Sequence, residues 1–235
     1  MPKKKTPPRQ KVAAFDIDGT IFRSSLLIEV TEALIQTGLF PEAARKSYAK
    51  AYESWLNRQG SYDNYIRAVI RAFEKHIKAV KQSDFERIGK KAIAFQRHRV
   101  YRYTRDLVKD LKRKNYFLLA ISHSPLELVE LFAGNLGFDK VYGRIYEVDG
   151  RGRFTGQTLH ADLIADKAKI LRRALAKENL PLQGSIGVGD SEGDISLLKI
   201  VSRPICFNPN SKLYRAAKRH GWEIVVERKD VIYKI

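Results

Sequence analysis

The stretch Val12-Ala13-Ala14-Phe15-Asp16-Ile17-Asp18-Gly19-Thr20 decides how the rest of the chain is read. Val12 to Phe15 is a short apolar run of the kind a buried strand needs, and it ends at Asp16. Two carboxylates two residues apart would share one face if the strand continued. Gly19 lets the chain turn away, which leaves both acids free to approach one ligand. One acid could then attack phosphorus while the other manages protons. The plain alternative is an Asp-Gly turn with an incidental second acid.

Outward from this stretch the rhythm is first helical. Leu26, Leu27, Val30, Leu34 and Ile35 recur at helix spacing. Pro41 can open a second helix, Tyr65 to Phe73 lie on a third, and Ser83-Asp84-Phe85-Glu86 resembles a capped start. From Thr104 strands and helices alternate. Predicted strands cover Phe117–Ile121, Val141–Val148, Phe154–Thr158, Gly184–Val188, Pro204–Phe207 and Glu223–Val226. Pro125 is expected to start a helix, and another helix is predicted over Ala165–Lys177. Such alternation predicts an α/β fold, a Rossmann-like, mostly parallel sheet with helices on both faces. The helical stretch is too long for a simple crossover and is expected to be an all-helical cap inserted after the first strand. The expected division is a catalytic core of residues 1–24 and 104–235 with a cap of residues 25–103.

In parallel sheets reactive groups gather at the C-terminal ends of strands, which singles out Asp16, Ser122 and Asp190. The run Gly187-Val188-Gly189-Asp190-Ser191-Glu192-Gly193-Asp194 places Asp190 and Asp194 on one face if a helix starts there. Carboxylates gathered beside Asp16 and Asp18 would repel one another, and a hard dication bound by oxygen resolves that repulsion. Ordinary acids at a helix N-terminus are the alternative. Ser122, ahead of a helix, offers a hydroxyl and nearby N–H groups to phosphate oxygens, or else simply caps the helix. Lys167 opposes the helix dipole in a first turn and so calls for a reason, unless it is one surface lysine among many.

These features in this order resemble the haloacid dehalogenase-like hydrolase superfamily, in its phosphoserine phosphatase-like branch (subclass IB). The resemblance spans nearly the whole chain. It includes Asp149-Gly150 with Phe154-Thr155-Gly156, and Cys206-Phe207-Asn208-Pro209 with Gly221-Trp222. It implies a magnesium-dependent phosphatase in which Asp16 is the nucleophile and Asp18 the general acid and base. Mg²⁺ would be held by Asp16, the Asp18 backbone carbonyl and Asp190, with Asp194 in support. Ser122 and Lys167 would hold phosphate oxygens, with Gly19 and Thr20 completing the loop. Three positions depart from phosphoserine phosphatases. Ser25 stands where they carry a Glu for the substrate's amino group, Gly193 replaces an Asn, and His123 stands where a small residue is usual. These departures bear on the leaving group and not on the chemical core.

The expected substrate is a small phosphorylated metabolite. His123 could reach it, or else face solvent from a loop, and Arg67 and Arg71, one helical turn apart, are possible clamps. Transfer to an acceptor other than water is a variant of the same chemistry. The 235-residue chain has net charge +18, and from Pro41 to Lys114 there are 20 Lys or Arg against 8 Asp or Glu. That excess suits anionic partners or a solvated surface. With Tyr48, Tyr52, Trp55, Tyr62 and Tyr65 interspersed, the cap could grip nucleic acid or an anionic membrane surface. The same aromatic spacing is what a helical core needs. One cysteine excludes an internal disulfide. No apolar run reaches membrane-span length, and the basic N-terminal tail, expected to fray, is followed by too short an apolar run for a signal peptide. A cytoplasmic location is the default expectation.

Overall fold

A computed structural model describes residues 10–235, so the N-terminal tail lies outside the described residues. The strands, in chain order, are β1 (Val12–Phe15), β2 (Phe117–Pro125), β3 (Lys140–Val148), β4 (Phe154–Leu159), β5 (Ile186–Gly189), β6 (Arg203–Phe207), β7 (Glu223–Arg228) and β8 (Val231–Lys234). They form one sheet of order β4-β3-β2-β1-β5-β6-β7-β8. Pairing is parallel from β3 through β7, and the two edge strands, β4 and β8, are antiparallel.

β1 sits at the centre because its four residues are buried on both faces. Ala13 and Phe15 point into the core shared with Leu118, Ala120 and Val188. Val12 and Ala14 point the other way, against Leu119, Ile121, Ile170 and Leu171. That alternation follows from the two-residue period of a strand. Phe15 lies opposite Ala120 on one side and Val188 on the other, so the chain leaves β1, β2 and β5 at one edge of the sheet. The chain order reverses between β1 and β5, and the crevice there is where such sheets bind ligands.

Four helices follow β1: α1 (Leu26–Gln36), α2 (Glu42–Leu56), α3 (Tyr62–Ile77) and α4 (Gln82–Gln96). They form the inserted helical cap. Pro41 precedes α2, and the Ser61 hydroxyl accepts from Asn64 N–H to cap α3. Leu26, Val30, Leu34, Phe73 and Phe85 belong to the same apolar cluster as Phe15, so the cap and the sheet share a core. Lys81 pairs with Arg153 beside the β3–β4 hairpin, which ties the base of α4 to the sheet's edge.

The remaining helices are α5 (Arg102–Arg113), α6 (Leu126–Gly134), α7 (Ala161–Ile164), α8 (Lys167–Lys177), α9 (Ile195–Leu198) and α10 (Ser211–His220). Four details differ from the sequence reading. α4 starts at Gln82 after Lys81, so Ser83 lies inside the helix and does not cap it. β2 runs on through His123 to Pro125, because its ladder to β3 resumes at Pro125–Arg144 after a register shift. The expected helix from Ala165 instead begins at Lys167, after Asp166 caps it by accepting Ala168 N–H at 2.9 Å. β8 was not anticipated; it folds back on β7 through a turn at Lys229–Asp230. Among the described residues no helix is long and apolar enough to cross a membrane.

Candidate active site

Asp16 leaves β1 with its N–H donating to Val188 O at 2.9 Å, so the backbone of β5 fixes where its side chain starts. The Asp16 carboxylate is 5% exposed. Lys167 Nζ, 2% exposed at the first turn of α8, donates to Asp16 Oδ1 at 2.5 Å and to Asp194 Oδ1 at 2.6 Å. The oddly placed lysine therefore has its reason: it lies between two buried carboxylates. Their charge holds its ammonium well above the usual range despite burial.

Asp194 is fully engaged. Its Oδ2 accepts from the N–H groups of Asp190 and Ser191 and from the Ser191 hydroxyl at 3.0–3.2 Å. Asp190 and Asp194 do not share a helix face as expected. Residues 192–194 form one turn of 3₁₀ helix, and the Asp194 side chain reaches back to the turn that carries Asp190. Asp16 Oδ2, by contrast, is buried with no hydrogen-bond partner. One oxygen from each of Asp16, Asp190 and Asp194 falls within a 4.8 Å cluster. Burial raises the Asp16 carboxyl to about 7 even against the Lys167 cation, and burial with the charges of Asp16 and Asp194 raises Asp190 well above its ordinary value. An orphaned carboxylate oxygen beside a second repelled carboxylate, all donors being hard oxygens, fits a hard divalent cation.

Asp18 faces elsewhere. Its Oδ1 accepts from Leu26 N–H at 2.6 Å, at the start of α1, and its Oδ2 accepts from the hydroxyls of Ser122 and, at 2.9 Å, Ser124. Ser122 N–H neighbours help as well: Ser124 N–H donates back to Ser122 Oγ at 2.9 Å. Gly19 has φ +81°, and a Cβ there would sit 2.2 Å from Asp190 Oδ2. Only glycine lets the loop pass this close to Asp190. Thr20 is buried, its carbonyl accepting from Thr104 Oγ1 at 2.9 Å while its own hydroxyl lacks a partner.

Above this floor lies a cavity of about 920 Å³ that reaches Gly19 and Asp190 below and the α2–α3 hairpin above. Tyr48, Tyr52, Trp55, Tyr62 and Tyr65 all line it, so the cap's aromatic residues face this cavity. The expected substrate candidates lie off its wall. Arg67 is exposed and pairs with Asp63 at 2.9 Å, and Arg71 is exposed on the same helix. His123 is half-buried rather than solvent-facing, with Nε2 at 2.9 Å from Ile164 O. Burial and the nearby Lys167 lower its imidazole to about 4, so the ring is neutral and that nitrogen donates.

The profile of the haloacid dehalogenase-like hydrolase family matches residues 13–199. The chain belongs to that family. Among curated proteins it is 28% identical over 227 residues to phosphoserine phosphatase SerB1 of Mycobacterium tuberculosis, covering 93% of this chain and 72% of that protein. A protein of unknown function from Bordetella pertussis Tohama I shares the fold with TM-score 0.70 at 21% identity, covering 92% and 98% of the two chains. A phosphoserine phosphatase solved with an analogue of its phospho-aspartyl intermediate gives TM-score 0.64 at 19% identity over 94% and 95%. Within the family this haloacid dehalogenase-like hydrolase falls in the phosphoserine phosphatase-like branch.

The structure of this hydrolase adds residues that sequence reasoning missed. Ser124 shares Asp18 with Ser122; its only sequence signal was its place two residues on, on the same strand face. Arg23, Arg58, Tyr101 and Asn210 line the cavity and carried no signal of their own, and Asn208, noted only within the C-terminal segment of the resemblance, lines it with them.

Proposed function

We propose that this hydrolase is a magnesium-dependent phosphomonoesterase that acts on a small phosphorylated metabolite through an aspartyl-phosphate intermediate. The observation that carries this reading is the Asp16 carboxylate at the end of the central strand, whose Oδ1 accepts from Lys167, whose Oδ2 is buried and unpartnered, and which clusters with the carboxylates of Asp190 and Asp194. Asp16 attacks phosphorus; the bond to the leaving oxygen breaks, and that oxygen takes a proton from Asp18. Water then attacks the same phosphorus, Asp18 takes the water's proton, and the bond to Asp16 breaks to release phosphate. Lys167 and the Ser122 hydroxyl hold the phosphoryl oxygens, with charge and hydrogen bonds already in place before the reaction. Asp16, Asp190 and the Asp18 main-chain carbonyl would hold Mg²⁺. When bound, it would offset the charge of the phosphoryl group and carboxylates.

The core of residues 1–24 and 104–235 supplies these groups, and the cap of residues 25–103 covers them. The names of its curated relatives support phosphate-ester chemistry. Purified protein is expected to release phosphate from a panel of phosphomonoesters when Mg²⁺ is supplied, and Asp16→Asn to lose at least about a thousandfold in kcat. Turnover that survives Asp16→Asn, or no turnover on any substrate, overturns the reading.

A further inference from the structure

The cavity's roof carries information that the carboxylate floor does not use. Tyr52 and Trp55 lie at the end of α2, and Tyr62 and Tyr65 at the start of α3, so the hairpin gathers four rings. Trp55 stacks on Tyr65 with centroids 5.5 Å apart at 14°, and Tyr62 meets Trp55 edge-on at 5.4 Å. Core packing alone does not account for this wall. Tyr52 and Tyr62 remain 40% and 37% exposed, and both face the cavity. Tyr62 lines the same cavity as Gly19 and Asp190 of the floor.

The charges of the wall are also arranged. Glu29 is taken by Arg99 at 2.9 Å, and Glu32 by Arg45 at 3.0 Å and by the Tyr48 hydroxyl. Neither acid is free to receive an ammonium group, and Ser25 is buried with no charge to offer. Glu53, the third glutamate of the wall, is exposed. Among the described residues Arg23 and Arg58 line the cavity without a carboxylate partner. Arg23 lies over the Tyr101 ring at 5.7 Å. Arg58 follows α2 in the left-handed conformation, φ +61°, that commonly closes a helix, and it lines the cavity there. A volume of about 920 Å³ is several times what an aminoalkyl leaving group fills and is at the upper end for small-molecule sites.

We propose that the leaving group this site accepts is a planar aromatic ring, stacked on the Tyr52–Trp55–Tyr62 wall with Arg23 and Arg58 at its polar edge. The substrate class is a ring-bearing phosphomonoester, nucleoside or arylalkyl, in preference to an aminoalkyl phosphate. This inference rests on the phosphatase reading and specifies its substrate.

The test compares benzyl phosphate and adenosine 5′-monophosphate with phosphoserine and glycerol 2-phosphate, all four esters of alcohols rather than of reactive phenols. At least one ring substrate should exceed both ringless ones by about tenfold or more in kcat/KM, the scale of one base–aromatic stack. Trp55→Leu and Tyr62→Leu should each cut that ratio about tenfold, chiefly through KM, and Trp55→Phe should restore most of it. Which ring substrate leads separates the nucleoside from the arylalkyl source. If Trp55→Leu fails to fold, Tyr62→Leu, which alters a part-exposed ring, decides. Equal kcat/KM for ring and ringless substrates, or a ratio unmoved in the variants, overturns the inference while leaving the phosphatase intact. No release from any substrate overturns both.

Discussion

The floor and the roof of the cavity are built on different principles. Asp16 and Asp190 follow strand ends, Ser122 lies within β2 at its register shift, and Lys167 opens a helix, so the floor is placed by β1, β5, β2 and α8. The roof depends on one helical hairpin whose aromatic rings pack on one another and whose Arg45 pairs with Glu32 of α1. The difference teaches that the floor's geometry is set by sheet topology, whereas the roof's is set by side chains on an inserted hairpin.

The comparison breaks first at Lys167. Lys167→Met would leave Asp16 and Asp194 buried without their shared cation. The expected cost is about 3–5 kcal/mol in urea unfolding of the metal-free protein, with near-complete loss of phosphate release. A stable, active Lys167→Met protein would mean the floor is not organised around charge.

A second test varies pH and metal. Asp16 titrates near 7 in the folded metal-free protein, because burial outweighs Lys167, against an unfolded value of about 4. Its contribution to stability is fully present below about pH 4 and is lost as pH rises through about 7. Added Mg²⁺ should therefore raise the melting temperature more at pH 8 than at pH 5. An equal or reversed effect would count against cation binding at these carboxylates.

Gly19→Ala should cost about 1–3 kcal/mol and much of the activity, from strain at φ +81° and the clash with Asp190. Chemical denaturation and phosphate release measure the two parts. The smallest effect is expected in the roof. Tyr48→Phe removes one hydroxyl from Glu32 and should cost about 1 kcal/mol in the same unfolding assay. A loss as large as that at Lys167 would show that the roof is as tightly specified as the floor.

The two regions also differ in how far their sequence could be read. Asp16, Asp190 and Ser122 were legible because each directly follows a buried apolar run, and strand ends are where parallel sheets place reactive groups. Lys167 was legible as an anomaly, a cation at a helix start. The cap's existence followed from the length of its helical stretch. Its inner wall did not, because aromatic residues at helix spacing serve a core and a cavity equally well. Arg67 and Arg71 show the limit. They lie one turn apart on α3, but two residues beyond Tyr65 and Val69, which are buried, and so about half a turn round the helix from them. Arg58 owes its place to a left-handed turn that composition does not announce. β2 extended past Ile121 because pairing to β3 overrode the polar look of His123-Ser124.

Asp18 joins the two regions. Its Oδ1 accepts Leu26 N–H at 2.6 Å, at the start of the cap's first helix, while its Oδ2 accepts the hydroxyls of Ser122 and Ser124 on β2. One carboxylate therefore spans the junction between sheet and insertion, and the peptide that opens α1 takes its bearing from an acid just past the central strand.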